Sequence, residues 1–126
     1  MSTTQHVSLD KVGKILVISF PASPLSIHEQ VLTEICEPIL TAVQESSQVL
    51  LDLSSVDFFG SSFIELMFRV WNRVKNKPDG QFALCGLRPY CREVLDITNL
   101  TSVWPVFDNR DEALAAMKQA AATAQP

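Results

Sequence analysis

The stretch V56-D-F-F-G-S-S-F-I-E-L-M-F-R-V-W71 decides the fold. An extended apolar run stops at Gly60, two serines follow, and a helical pattern begins at once. Phe63, Leu66, Met67, Val70, Trp71 and Val74 recur at i, i+3, i+4, i+7, i+8 and i+11, which predicts an amphipathic helix over 63–76 with that face on a sheet. Ser62 stands three residues before Glu65, the spacing of a capping box, so Ser62 is expected to be the helix N-cap. Ser61 then falls one residue outside the helix, on an accessible strand-to-helix loop.

Working outward, QVLLDLSSV (48–56) reads as a strand buried on both faces, with Asp52 inside it. HVSLDKVG (6–13) and KILVISF (14–20) form a hairpin, and PASPLS is read as a loop. Ser26 begins a second capping-box match with Glu29. The stripe Val31, Leu32, Ile35, Cys36, Ile39, Leu40, Val43 predicts a helix, with a kink or break expected near 34–38 because Pro38 lacks an N–H. After KPDG (77–80) come a strand at 81–87, a helix at 89–98 opened by Pro89, a short edge strand at 103–107 and a helix at 108–121. The order β-β-α-β-α-β-α-β-α implies an α/β fold: one mixed sheet of four or five strands with about four helices packed on it. The chain reads as a single domain over 1–126, with its core at about 6–120 and a tail at 121–126.

The totals exclude several classes. The chain has 126 residues, 47% hydrophobic, with a net charge of −4. That is one sizeable core, with no basic face to track nucleic acid. No run approaches a membrane span, and the N-terminus has no signal-peptide pattern, so a cytoplasmic location is expected. Cys36, Cys85 and Cys91 show no CxxC spacing and are read as structural thiols, and His6 and His28 as surface residues. No nucleotide, hydrolase or metalloprotease motif is present, and no cofactor, metal site or enzymatic activity is expected. Asp52 and Asp57, five apart on an extended segment, make a poor acid/base pair, and Asp57 reads as a solvated strand-end charge.

The two serines carry two readings. A capping serine stabilises a helix by about 1 kcal/mol. A phosphate on Ser61 would instead add nearly two negative charges at a helix N-terminus, which the helix dipole tolerates and a docked protein without a matching cation does not.

LLDLSSVDFFGSSFIELMFRVWNRVK resembles the segment in STAS domains of the anti-sigma-factor antagonist family where a strand ends in Asp-Ser-Ser-Gly or Asp-Thr-x-Gly before an amphipathic helix. FALCGLRPYCREVLDITNLTSVWPVFDNRDEALAAM continues the family's order, so the resemblance covers about 48–117. It implies a STAS-like fold and a bacterial binding module for partner switching. In that family the unmodified antagonist engages a serine kinase that doubles as an anti-sigma factor, and phosphorylation of a motif serine ends the engagement. Ser61 matches that serine, with Ser62 second. Phe58, Phe59, Gly60, Ser61, Ser62 and Phe63 are the expected partner-binding residues; Phe58, Phe59 and Phe63 form an apolar docking patch if exposed and core if not. Two positions depart: Gly60 stands where the family has aspartate, and Phe63 where it has glycine. They favour an alternative, a constitutive STAS subunit of a larger complex such as a lipid-transport assembly or a signalling scaffold, without phosphorylation.

Overall fold

A computed structural model of the chain describes residues 7–20, 25–27 and 29–124. His6 and His28 fall outside them. Five strands make the main sheet: β1 (Ser8–Val12), β2 (Ile15–Ser19), β4 (Gln48–Asp52), β6 (Gln81–Cys85) and β7 (Val106–Phe107), in the order β1-β2-β4-β6-β7. β1 and β2 are the expected antiparallel hairpin, and the other pairs are parallel. β3 (Leu25–Ile27) and β5 (Val56–Phe59) form a separate parallel ribbon.

Period-two alternation sorts the strand residues between two cores. On one face, Leu16, Ile18, Val49, Leu51, Phe82 and Leu84 meet α1 (Glu29–Gln44), α2 (Ser61–Val74) and α3 (Pro89–Ile97). On the other, Ile15, Val17, Leu50, Ala83 and Cys85 meet Ala113 and Met117 of α4 (Arg110–Ala124). β4 is buried at every position, as its apolar run requires. The expected face of α2 is confirmed: Phe63, Leu66, Met67, Val70 and Val74 are buried, and Trp71 packs against the core from a half-buried position.

Several expectations are corrected. The extended segment after β4 is not one strand to 56. It stops at Asp52, turns at Leu53–Ser55 and resumes as β5, which leaves the main sheet. Part of the loop expected at 21–26 is strand: Ser26 lies in β3, and α1 begins at Glu29. α1 runs unbroken through Pro38. The burial of Ile35, Ile39 and Val43 on the sheet outweighs the one rung that proline removes. Its C-terminus is held by Lys77, whose ammonium donates to the carbonyls of Val43 (3.0 Å), Gln44 (3.1 Å) and Ser46. A cation there satisfies orphan carbonyls and matches the helix dipole. α4 also runs past its expected end at 121. No helix among the described residues is long and apolar enough to cross a membrane.

Candidate docking site

β5 delivers the chain to α2 through Gly60, and this turn places the two serines. Gly60 has extended dihedrals (φ −104°, ψ −172°) and is the N-cap of α2. Its carbonyl accepts from the amides of Phe63 (3.1 Å) and Ile64 (3.3 Å). α2 therefore begins at Ser61, two residues earlier than the spacing predicted. Ser61 and Ser62 occupy the first two helical positions, both are exposed, and no side chain caps the helix. The Ser62–Glu65 capping box does not form. The cap of α4 shows the contrast: Asn109 Oδ1 accepts from the Glu112 amide (2.9 Å), and Asn109 Nδ2 donates back to Glu112 Oε2 (2.9 Å). At α2 the cap position has no side chain to do this.

The three phenylalanines divide. Phe59 and Phe63 are each 1% exposed, with ring centroids 5.1 Å apart, and Phe63 also meets Phe20 edge-on. They anchor the turn from below and cannot touch a partner directly. Phe58 is 39% exposed and lies against Tyr90 of α3, centroids 5.2 Å apart. Tyr90 was not singled out by sequence reasoning, because a tyrosine in the first turn of a helix carries no signal of which strand it will meet. Ser62 borders a groove of about 260 Å³ between α1 and α2, with Leu32, Cys36, Glu65 and Arg69. The accessible surface around Ser61 is thus an exposed hydroxyl pair, one aromatic pair and a shallow groove.

Electrostatics at the base of the turn are specific. Asp52, at the end of β4, accepts at Oδ1 from the Ser54 amide (3.1 Å) and hydroxyl (2.7 Å), and at Oδ2 from Arg110 Nε (3.0 Å) and Nη2 (2.9 Å). Burial alone would raise its pKa, but the Ser54 hydrogen bonds and the Arg110 guanidinium more than offset this and hold it below the usual carboxylate value. A charge inside an apolar strand signals that a partner exists, but not which of the cations it is. Asp57 is exposed and pairs loosely with Arg88 at 3.5 Å. Among the described residues no cluster of three or more histidines, cysteines or carboxylates could hold a metal ion. Cys85 and Cys91 are buried, and Cys36 is half-buried.

Known proteins place this architecture. The STAS domain family pattern matches residues 7–113. A STAS domain protein from Planctomyces limnophilus, described as an anti-sigma-factor antagonist, is 43% identical; the match covers 89% of this chain and 97% of that one, with a TM-score of 0.84. A candidate anti-sigma factor antagonist, BtrV of Bordetella bronchiseptica, is 28% identical over 115 residues, spanning 90% of this chain and 96% of BtrV. The fold also matches unphosphorylated SpoIIAA, an anti-sigma factor antagonist, at a TM-score of 0.75 over 90% of this chain and 96% of that one, with 18% identity. The five-stranded mixed sheet, the four helices and the family match agree, and the chain belongs to the STAS domain family.

Proposed function

We propose that this STAS domain is an anti-sigma-factor antagonist working by partner switching. Its unmodified β5–α2 face engages a serine kinase that acts as an anti-sigma factor, and phosphorylation of Ser61 ends the engagement. The observation that carries this reading is the exposure of Ser61 at the first position of α2, beside the exposed Phe58.

Magnitudes decide how such a switch works. A negative charge on the first turn of a helix is stabilising by roughly 0.3–1 kcal/mol, so phosphate does not unfold the site. Against a partner surface shaped for a neutral hydroxyl, an unmatched charge costs several kcal/mol. Phosphorylation therefore acts on association while leaving the fold intact. Phe59 and Phe63 fix the turn from the core, which keeps the face preorganised whether or not phosphate is present.

The constitutive-subunit reading rests on Gly60. Without a carboxylate beside Ser61, a kinase loses one charge with which to orient the turn. Incubation with the cognate kinase and ATP, followed by peptide mapping, separates the two. Phosphate on Ser61 supports the switch, phosphate on Ser62 alone reassigns it, and phosphate on neither serine favours the constitutive subunit.

A further inference from the structure

The turn that launches β5 is clamped from several directions at Ser54. Its amide and hydroxyl bind Asp52 Oδ1, and Asp52 Oδ2 is gripped by Arg110, the first residue of α4. Its carbonyl accepts from Arg88 Nε at 2.8 Å, and the same guanidinium reaches Asp57 on β5 at 3.5 Å. Gly86 presses on it from the end of β6: at φ +70° a β-carbon there would stand 2.9 Å from the Ser54 Cβ. Two further bonds, Leu53 N–H to the Cys85 carbonyl (2.9 Å) and Val56 N–H to the Leu53 carbonyl (3.0 Å), close the turn. The polar chain is continuous: Arg110, Asp52, Ser54, Arg88, Asp57. It links the start of α4, on one face of the sheet, to the strand that leads into Gly60 and Ser61, on the other.

We propose that Arg110 and Arg88 form a latch in series that positions the β5–α2 turn, so that the docking site is set partly from the α4 side of the sheet. β5 has left the main sheet, and its backbone neighbour is the three-residue strand β3. Its far end is anchored by the Phe59 ring; its near end joins the Ser54 turn at Val56, which is buried in the core and whose carbonyl accepts from Cys91 Sγ at 3.7 Å. Arg88 is the N-cap residue of α3 but makes no cap bond with its side chain. That side chain is spent on Ser54 and Asp57. Arg88 and Arg110 are positioning residues, since they act on the Ser61 turn through other groups.

The inference that this turn matters for partner binding rests on the function proposed above, but the latch can be tested on the free protein. The readout is hydrogen exchange, by NMR, of the Phe63 and Ile64 amides, which bond to the Gly60 carbonyl. Arg88→Gln should raise their exchange at least about fivefold relative to the Met67 and Val70 amides deeper in α2, and Arg88→Lys should restore most of the protection. Arg110→Ala should raise the same two amides as well as the Ala113 amide of α4. Exchange that rises at Ala113 alone would show that Arg110 merely ties down α4, and would overturn the series latch. Unchanged exchange in Arg88→Gln would also overturn it. Binding to the cognate kinase is measured in parallel. A wild-type protein that fails to bind refutes the antagonist reading, while the exchange result still decides the latch. Retained wild-type affinity in an Arg88→Gln protein with unchanged exchange refutes the latch alone.

Discussion

Gly60 occupies the N-cap of α2 in a conformation open to any residue, and a β-carbon there would meet nothing within 4 Å. The cap is therefore unfilled by sequence choice and not by steric need. Gly60→Asp should stabilise the protein through three additive contributions. A carboxylate at an N-cap is better than glycine by a few tenths of a kcal/mol. Removing glycine's freedom from the unfolded chain contributes about 0.4–1 kcal/mol at a compatible backbone. The charge gains about 0.3–1 kcal/mol from the helix dipole, partly offset by the exposed Asp57 and Glu65 nearby. The sum is about 1 kcal/mol, or roughly 3–5 °C in Tm for a domain of this size. Thermal unfolding at pH 7 measures it. Gly60→Asn isolates the neutral share, and at pH 2.5 the aspartate and asparagine variants should converge, because the introduced carboxyl is then neutral. A Gly60→Asp protein no more stable than wild type, or less stable, would refute the account of this turn as an open, unstrained cap.

Other consequences follow from the same geometry. Ser62→Ala should change stability by less than about 0.5 kcal/mol in urea unfolding, because the hydroxyl is exposed and caps nothing. A loss above 1 kcal/mol would reinstate it as the cap. Asp52 has a folded pKa below its ordinary 3.8, so its contribution is fully present above that pH and is lost as pH falls through the lower folded value. Asp52→Asn should be less stable at pH 7 and lose less further stability between pH 5 and 2 than wild type; parallel curves would show that the carboxylate is uncoupled from folding. Burial, with the Asp52 charge next, pushes the Cys85 thiol up to about 12, and burial, with Asp57 next, pushes Cys91 to about 11. Iodoacetamide at pH 8 should therefore label Cys36 alone in the folded protein, and native labelling of Cys85 or Cys91 by mass spectrometry would contradict their burial.

The elements most legible in the sequence were those with a strong period. The 63/66/67/70/71/74 stripe and the apolar run of β4 each pointed to one burial pattern, and both formed as expected. What could not be read were features set by neighbours distant in sequence. β3 is three residues long and exists because β5 lies beside it. The two serines expected to cap helices stand elsewhere: Ser26 lies in β3, and Ser62 lies inside α2, whose start at Ser61 puts Gly60 at the cap. The candidate site was half legible. Ser61 and Gly60 stand at the exposed turn, whereas the division of Phe58 from Phe59 depends on which way a detached strand faces. Asp52 was visible as a charge in an apolar run, but Arg110 lies 58 residues away, beyond the reach of any local pattern.

On the proposed function, one exposed hydroxyl governs association without governing the fold. The most direct measurement is the affinity of the cognate kinase for the protein before and after phosphorylation at Ser61, by calorimetry, with unfolding of both forms in parallel. Phosphate should lower affinity at least about 100-fold, a loss of about 2.7 kcal/mol, while the stability of the free protein stays equal or rises slightly. Equal affinity of the two forms, or a phosphorylated protein that loses binding only because it unfolds, would contradict it.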